Sequence, residues 1–265
     1  MGVATKILLH VRDGDVMDAA SKQRIYPRRL RRNPLPGSEG TSARRINRLF
    51  EGLPGAERYL EIGLEYGYTF ENVQAAVRWG VDPFPRFNIR HLPRDAHVAV
   101  TTSDEFFNLN PCNSFDVVFL DGLHTFRQAY RDLVNACHVC PHGAILIDDV
   151  VPCDEVSTIP DKERSLQERR RQGLKGTPWY GDVFRVILCI AAHHPELSFR
   201  TIVQDKPQTL VWRNDPGASV TSVNEALLDT MEMYSFTDVF GHGTPESFLP
   251  RSESEAIEEW MTART

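Results

Sequence analysis

Leu60-Glu61-Ile62-Gly63-Leu64-Glu65-Tyr66-Gly67-Tyr68-Thr69 decides how the rest of this chain is read. The stretch Arg58–Gly63 is apolar and ends in glycine, as a buried strand does, and a helical pattern follows it. Gly63 would let the chain turn sharply off the strand. Gly67 would let the backbone come close to a ligand, and the free N–H groups of the next helix would face that ligand. In a parallel sheet such a turn lies at the C-terminal edge, where nucleotide-like molecules bind. The spacing is Gly-x-x-x-Gly rather than Gly-x-Gly-x-x-Gly. Glu61 would oppose a pyrophosphate there but suits a cationic or hydroxyl-bearing ligand. Asp82, 21 residues beyond Glu61, closes the segment Gly80–Pro83, where a carboxylate can accept both hydroxyls of a ribose.

Outward from this turn, the pattern predicts a helix over 70–79 with Phe70, Val73 and Val77 on one face, a strand over Ala96–Thr101 and a short helix over Asp104–Leu109. A strand over Phe115–Leu120 follows, then a helix over Phe126–Cys137 and a strand over Gly143–Ile147. These strands are apolar throughout rather than alternating, so the expected fold is α/β. It is a Rossmann-like, doubly wound, mostly parallel sheet covered on both faces. Phe199–Val203 and Thr209–Arg213 read as an antiparallel pair closing its edge. Thr41 or Ser42 is expected to cap a helix running to about Gly52, and Asp182 to cap one over Gly181–Ala192. Residues 152–180 read as a long polar connection with an Arg run at 169–171, of the kind that serves as a lid. The expected domains are an N-terminal arm with its leading helix over 1–54, a core over 55–213 with a lid at 154–178, and a helical appendage over 214–265.

The 265 residues carry a formal net charge of −6, unevenly spread. Residues 222–265 hold nine acids and two basic residues, while 22–32 hold six basic residues and no acid. The basic arm has only Tyr26 as an aromatic, which argues against a nucleic-acid stacking surface. Contact with the acidic segment or with a partner subunit, in a homo-oligomer, is the expectation. No apolar run approaches a membrane span, and the N-terminus lacks a secretory signal pattern. With five cysteines in no disulfide-like pattern, the expectation is a reduced, cytoplasmic protein. Cys137-x-x-Cys140 has no second pair and does not read as a zinc site.

A second constellation stands at the later strand ends. Asp121 ends the fourth predicted strand and Asp148-Asp149 the fifth, so three carboxylates are expected at the rim that carries the glycine turn. They would repel unless a cation sits among them, and Mg²⁺ or another divalent cation with oxygen ligands fits. His124, three residues after Asp121, can face the same cavity and accept a proton from an alcohol. Read without context, each of these residues also fits an ordinary turn or cap.

The Glu-Ile-Gly-x-x-x-Gly-Tyr-Thr stretch resembles the first motif of class I S-adenosylmethionine-dependent methyltransferases, and the similarity extends over about residues 55–213. It is nearest to the metal-dependent O-methyltransferases of the catechol type and of the type that methylates sugar hydroxyls of macrolides. The latter is suggested by Asp121-Gly122-Leu123-His124-Thr125-Phe126, by Asp148-Asp149, and by Trp179-x-Gly181-Asp182-Val183-Phe184. The resemblance implies that Glu61, Gly63, Tyr68 and Thr69 hold the methionine part of the cofactor, with Gly67 in the same loop. It implies that Asp82 binds the ribose, and that Ser103 and Asp104 lie beside the adenine. It further implies that Asp121, Asp148 and Asp149 hold the metal and that His124 is the base. The expected activity is methyl transfer to a hydroxyl of a small molecule, such as a sugar, a polyketide, a peptide or another natural product. Three other readings stay open at this point: a metal-independent methyltransferase on nitrogen or carboxylate, a nicotinamide-dependent oxidoreductase, and a non-catalytic cofactor-binding protein.

Overall fold

The computed structural model describes residues 40–109, 114–217, 219–220 and 225–264. The basic arm at 22–32 lies outside them. The chain forms two compact units, the first running to Val118 and the second starting at Phe119. The strand order is β3 (Ala96–Ala99), β2 (Val77–Val81), β1 (Arg58–Ile62), β4 (Val117–Leu120), β5 (Ala144–Ile147), β7 (Gln208–Arg213), β6 (Leu197–Ile202), β8 (Pro250–Arg251), mostly parallel with an antiparallel β5-β7-β6 part, as the sequence pattern requires. Among the described residues no helix is long and apolar enough to cross a membrane.

In the first unit, helix α1 (Thr41–Glu51) precedes strand β1 (Arg58–Ile62). Gly40, not Thr41 or Ser42, occupies its N-cap position, and no side chain caps it. Ile46 and Leu49 are fully buried on its inner face. Strand β2 (Val77–Val81) pairs in parallel with β1 and with β3 (Ala96–Ala99), and helix α3 (Ser103–Leu109) follows. The helix expected over 70–79 is not formed: helix α2 covers only Tyr68–Asn72, residues 73–76 are irregular, and β2 begins at Val77. Val77, Trp79 and Val81 alternate with Arg78 and Gly80, a period of two that fits a strand. The chain turns extended at Val73, and the Arg78 guanidinium donates to the Phe70 and Val73 carbonyls that end the helix.

In the second unit, β4 (Val117–Leu120, which begins at the boundary) leads into helix α4 (Phe126–Val139) and β5 (Ala144–Ile147). Every residue of these two strands is buried, in keeping with a covered sheet. The connection over 152–180 is not a plain loop. It contains a 3₁₀ turn at Glu155–Thr158 and helix α5 (Lys162–Arg171). Arg169, the first of the arginine run, is buried, and its Nη1 donates to both oxygens of Asp154 at 2.8 Å. Helix α6 (Arg185–His193) carries Val186, Ile187 and Ile190 inward. Asp182 does not cap it; its Oδ1 accepts the Phe126 N–H at 2.7 Å and so caps α4 instead. Strands β6 (Leu197–Ile202) and β7 (Gln208–Arg213) form the antiparallel pair, with Thr209 of β7 opposite Ile147 of β5. The short β8 (Pro250–Arg251) adds to β6. Helices α7 (Glu225–Glu232), α8 (Phe236–Phe240) and α9 (Glu253–Thr262) complete the unit. Ser252 caps α9 in a capping box with Glu255.

Candidate active site

The glycine turn of the first unit is built around Asp82. Gly63 has φ +88° and Gly67 φ +74°, conformations that glycine adopts without strain, and Glu65 between them has φ +41°. The Asp82 carboxylate holds this turn. Its Oδ2 accepts from the Leu64 and Glu65 N–H groups at 2.9 and 2.8 Å, and its Oδ1 from the Phe84 N–H at 2.6 Å. Among the described residues this leaves one lone pair of Oδ1 for a further donor. A Cβ at Gly67 would meet the ring of the buried Phe87 at 2.9 Å. The close approach that Gly67 permits is that of Phe87. Glu61 is buried at the end of β1 and accepts from the Tyr59 hydroxyl at 2.7 Å. Tyr68 and Thr69 open α2, with Tyr68 exposed, and Ser103 and Asp104 form the first turn of α3. The strand-end glycine in left-handed conformation, the Glu61 carboxylate and the spare Oδ1 site of Asp82 fit a hydroxyl-bearing, cationic cofactor.

The second unit brings Asp121, His124, Asp148 and Asp149 together after β4 and β5. His124 Nδ1 lies 3.1 Å from Asp149 Oδ2 and 3.3 Å from the Trp179 carbonyl oxygen. A carbonyl only accepts, so Nδ1 carries the hydrogen, and Nε2 faces Asp121 Oδ1 at 3.6 Å. The Trp179 ring lies flat on the imidazole, with centroids 4.2 Å apart and planes 7° apart. Lys162 Nζ sits 4.8 Å from the centroid of the Trp179 ring, and Trp179 Nε1 donates to the Ile159 carbonyl at 2.9 Å. Gly181, at φ +59°, runs so close that a Cβ there would lie 1.7 Å from the His124 carbonyl oxygen. Sequence reasoning gave Trp179 and Gly181 only as part of a motif; here they fix the position of His124.

Charge explains the remaining contacts. Burial opposes a charge on His124, but the Asp121 and Asp149 carboxylates outweigh it and hold its pKa above the usual histidine value. Burial, then the neighbouring Asp148, pushes Asp149 well above the usual carboxylate range. Burial and Asp121 push Asp148 up to about 6, although Lys206 pulls the other way. Lys206 was not foreseen. Its ammonium pairs with Asp148 Oδ2, while Asp148 Oδ1 accepts the Asp149 N–H at 2.9 Å. The signal was in the register: the β6–β7 turn overhangs the end of β5, and Lys206 is the one basic residue in Val203–Gln208. Asp121, His124 and Asp149 each place one donor atom within 4.8 Å of the others. Two carboxylates and an imidazole fit a divalent cation. Asp148, expected as a third carboxylate ligand, is instead engaged by Lys206.

Among curated proteins none matches the chain. Among solved structures it is similar in fold to cofactor-bound Rv0187 from MTB, at 17% identity, 80% of this chain, 96% of that chain and a TM-score of 0.47. It is likewise similar to the O-methyltransferase TomG from Streptomyces achromogenes in complex with SAM, at 16% identity, 80% and 99% coverage and a TM-score of 0.45. The O-methyltransferase from Bacillus cereus in complex with SAH gives 14% identity, 78% and 95% coverage and a TM-score of 0.45. Residues 60–150, which span the glycine turn, Asp121, His124 and both strand-end aspartates of β5, match the family model of a methyltransferase domain. That match speaks for a methyltransferase domain over residues 60–150, the stretch that holds the glycine turn and the strand-end acids.

Proposed function

We propose that this enzyme methylates a hydroxyl group of a small molecule, with His124 as the base and a divalent cation held by Asp121 and Asp149. The observation that carries the reading is the pairing of the His124 ring. Nδ1–H is committed to the Trp179 carbonyl and Asp149, and Nε2, facing Asp121, is the nitrogen that exchanges a proton. In this reading the cofactor supplies an electrophilic methyl group on sulfonium, held through Glu61, Gly63, Tyr68, Thr69 and Asp82, with Ser103 and Asp104 on the adenine side. A divalent cation at Asp121 and Asp149 supplies positive charge that lowers the pKa of a nearby hydroxyl. His124 takes the hydroxyl proton on Nε2, and Asp149 balances the imidazolium that forms. Trp179 keeps the ring from turning. A sugar, polyketide or peptide natural product is the class of acceptor to test first.

The experiment is a methyl-transfer assay over a panel of hydroxylated natural products, run with Mg²⁺, with Mn²⁺ and with chelator. Transfer to a hydroxyl that chelator abolishes is the expected result. Transfer that ignores chelator removes the cation, and transfer to nitrogen or carboxylate alone removes the reading.

A further inference from the structure

Three carboxylates at two strand ends need compensating charge, and two side chains of this chain already bring it. His124 stands against Asp121 and Asp149, and Lys206 stands against Asp148. Asp148 has a side chain only 1% exposed and has both oxygens engaged, by Lys206 and by the Asp149 N–H. Lys206 is delivered there by architecture. Thr209 is opposite Ile147, so the β6–β7 turn projects past the end of β5, where Asp148 follows. Asp205 supports that turn with a left-handed φ of +55°.

We propose that Lys206 is the built-in counter-cation of this cluster: it occupies Asp148, keeps that carboxylate out of the ligand set, and weakens the binding of a divalent cation at Asp121 and Asp149, beside His124. The inference rests on the reading that this cluster takes a cation. The Lys206 ammonium feels the charges of Asp121 and Asp149 as well as Asp148, and a unit charge and a divalent ion about 7 Å apart repel by enough to change affinity roughly sevenfold even at the dielectric of water, and more in a partly buried site. Removing the ammonium also frees a carboxylate to become an added ligand. The wild-type cluster would therefore bind its ion weakly and exchangeably, rather than trap it.

Mn²⁺ titration of the full chain tests this, by calorimetry or by the resonance signal of free Mn²⁺. Lys206→Met should bind Mn²⁺ about tenfold more tightly than wild type, and Lys206→Arg about equally. Adding Asp148→Asn to Lys206→Met should return the affinity to within about threefold of wild type. Lys206 is 44% exposed on a turn, so the fold should tolerate the change; Lys206→Gln replaces the Met variant if circular dichroism shows otherwise. Measurable wild-type binding with no gain in either neutral variant overturns the role of Lys206 and leaves the cation reading standing. No binding in any variant overturns both. Binding by Lys206→Met with none by wild type supports Lys206 as the counter-cation and removes the ion from the wild-type reaction.

Discussion

The two units hold their strand-end acids in opposite ways. After β2, Asp82 is held by three backbone N–H groups, those of Leu64, Glu65 and Phe84. After β5, Asp148 and Asp149 are held chiefly by side-chain cations, Lys206 and His124. A backbone donor cannot leave without unfolding the turn it belongs to, so Asp82 is part of the scaffold as well as a candidate ligand. A side-chain cation can swing away or yield to another cation. The second unit therefore carries the exchangeable chemistry, and the first carries a preformed cradle.

The largest effect should fall where backbone and chemistry meet. In Gly181→Ala, a methyl group would lie 1.7 Å from the His124 carbonyl oxygen in a left-handed conformation. We expect a loss of about 4 kcal/mol or more, read as failure to fold or as a collapsed urea midpoint. A variant within about 1 kcal/mol of wild type would mean that Gly181 does not fix His124. Next comes His124→Ala, which should lower the methyl-transfer rate roughly 10²–10⁴-fold with cofactor affinity unchanged. Near-normal turnover would leave the second unit with no exchangeable base and undo the contrast.

Much of this was legible beforehand. Uniformly apolar strands such as Phe115–Leu120 and Gly143–Ile147 announce a covered parallel sheet, and their terminal aspartates follow from the same pattern. Residues 70–79 were not legible, because Phe70, Val73 and Val77 satisfy a helical period while Val77, Trp79 and Val81 satisfy a strand period. What decided between them was the Arg78 guanidinium on the carbonyls of Phe70 and Val73, a contact that periodicity does not contain. The partner of Asp148 was hidden for a similar reason: 58 residues separate it from Lys206, and only the β5–β7 register joins them. The capping role of Asp182 was read onto its own helix rather than onto the distant Phe126.

Asp82→Ala takes the contrast to the first unit. Losing three hydrogen bonds to a carboxylate should cost about 2–3 kcal/mol of stability and weaken S-adenosylmethionine binding at least about tenfold. Calorimetric titration beside urea unfolding reads both. Weaker binding with unchanged stability would assign Asp82 to the ligand and not to the scaffold. Asp148→Asn probes the other side through pH. The Asp148 carboxyl has its pKa pushed up to about 6 from an ordinary 3.8, so between those values the folded chain holds a proton that the unfolded chain releases. Wild-type stability should thus fall as pH rises from 4 to 7, and the variant escapes that fall. Its stability relative to wild type should improve over this range by up to about 3 kcal/mol, measured in metal-free buffer. A difference that stays flat with pH would mean that Lys206 fully compensates the buried carboxylate.

The smallest effect should come from Trp179→Phe. Both contacts that Trp179 makes with His124 survive this change: a flat ring can still cover the imidazole, and the backbone carbonyl still accepts from Nδ1. What is lost is the indole N–H bond to the Ile159 carbonyl, together with part of the face under Lys162. A neutral hydrogen bond at a half-buried position contributes about 0.5–1.5 kcal/mol. Stability should drop by that amount, with turnover within about threefold of wild type. Trp179→Ala keeps the carbonyl but uncovers the ring, and should lose turnover by tenfold or more while cofactor affinity holds. If Phe and Ala behave alike, the stacked ring does not position His124, and the carbonyl and Asp149 alone orient the exchangeable group of the second unit.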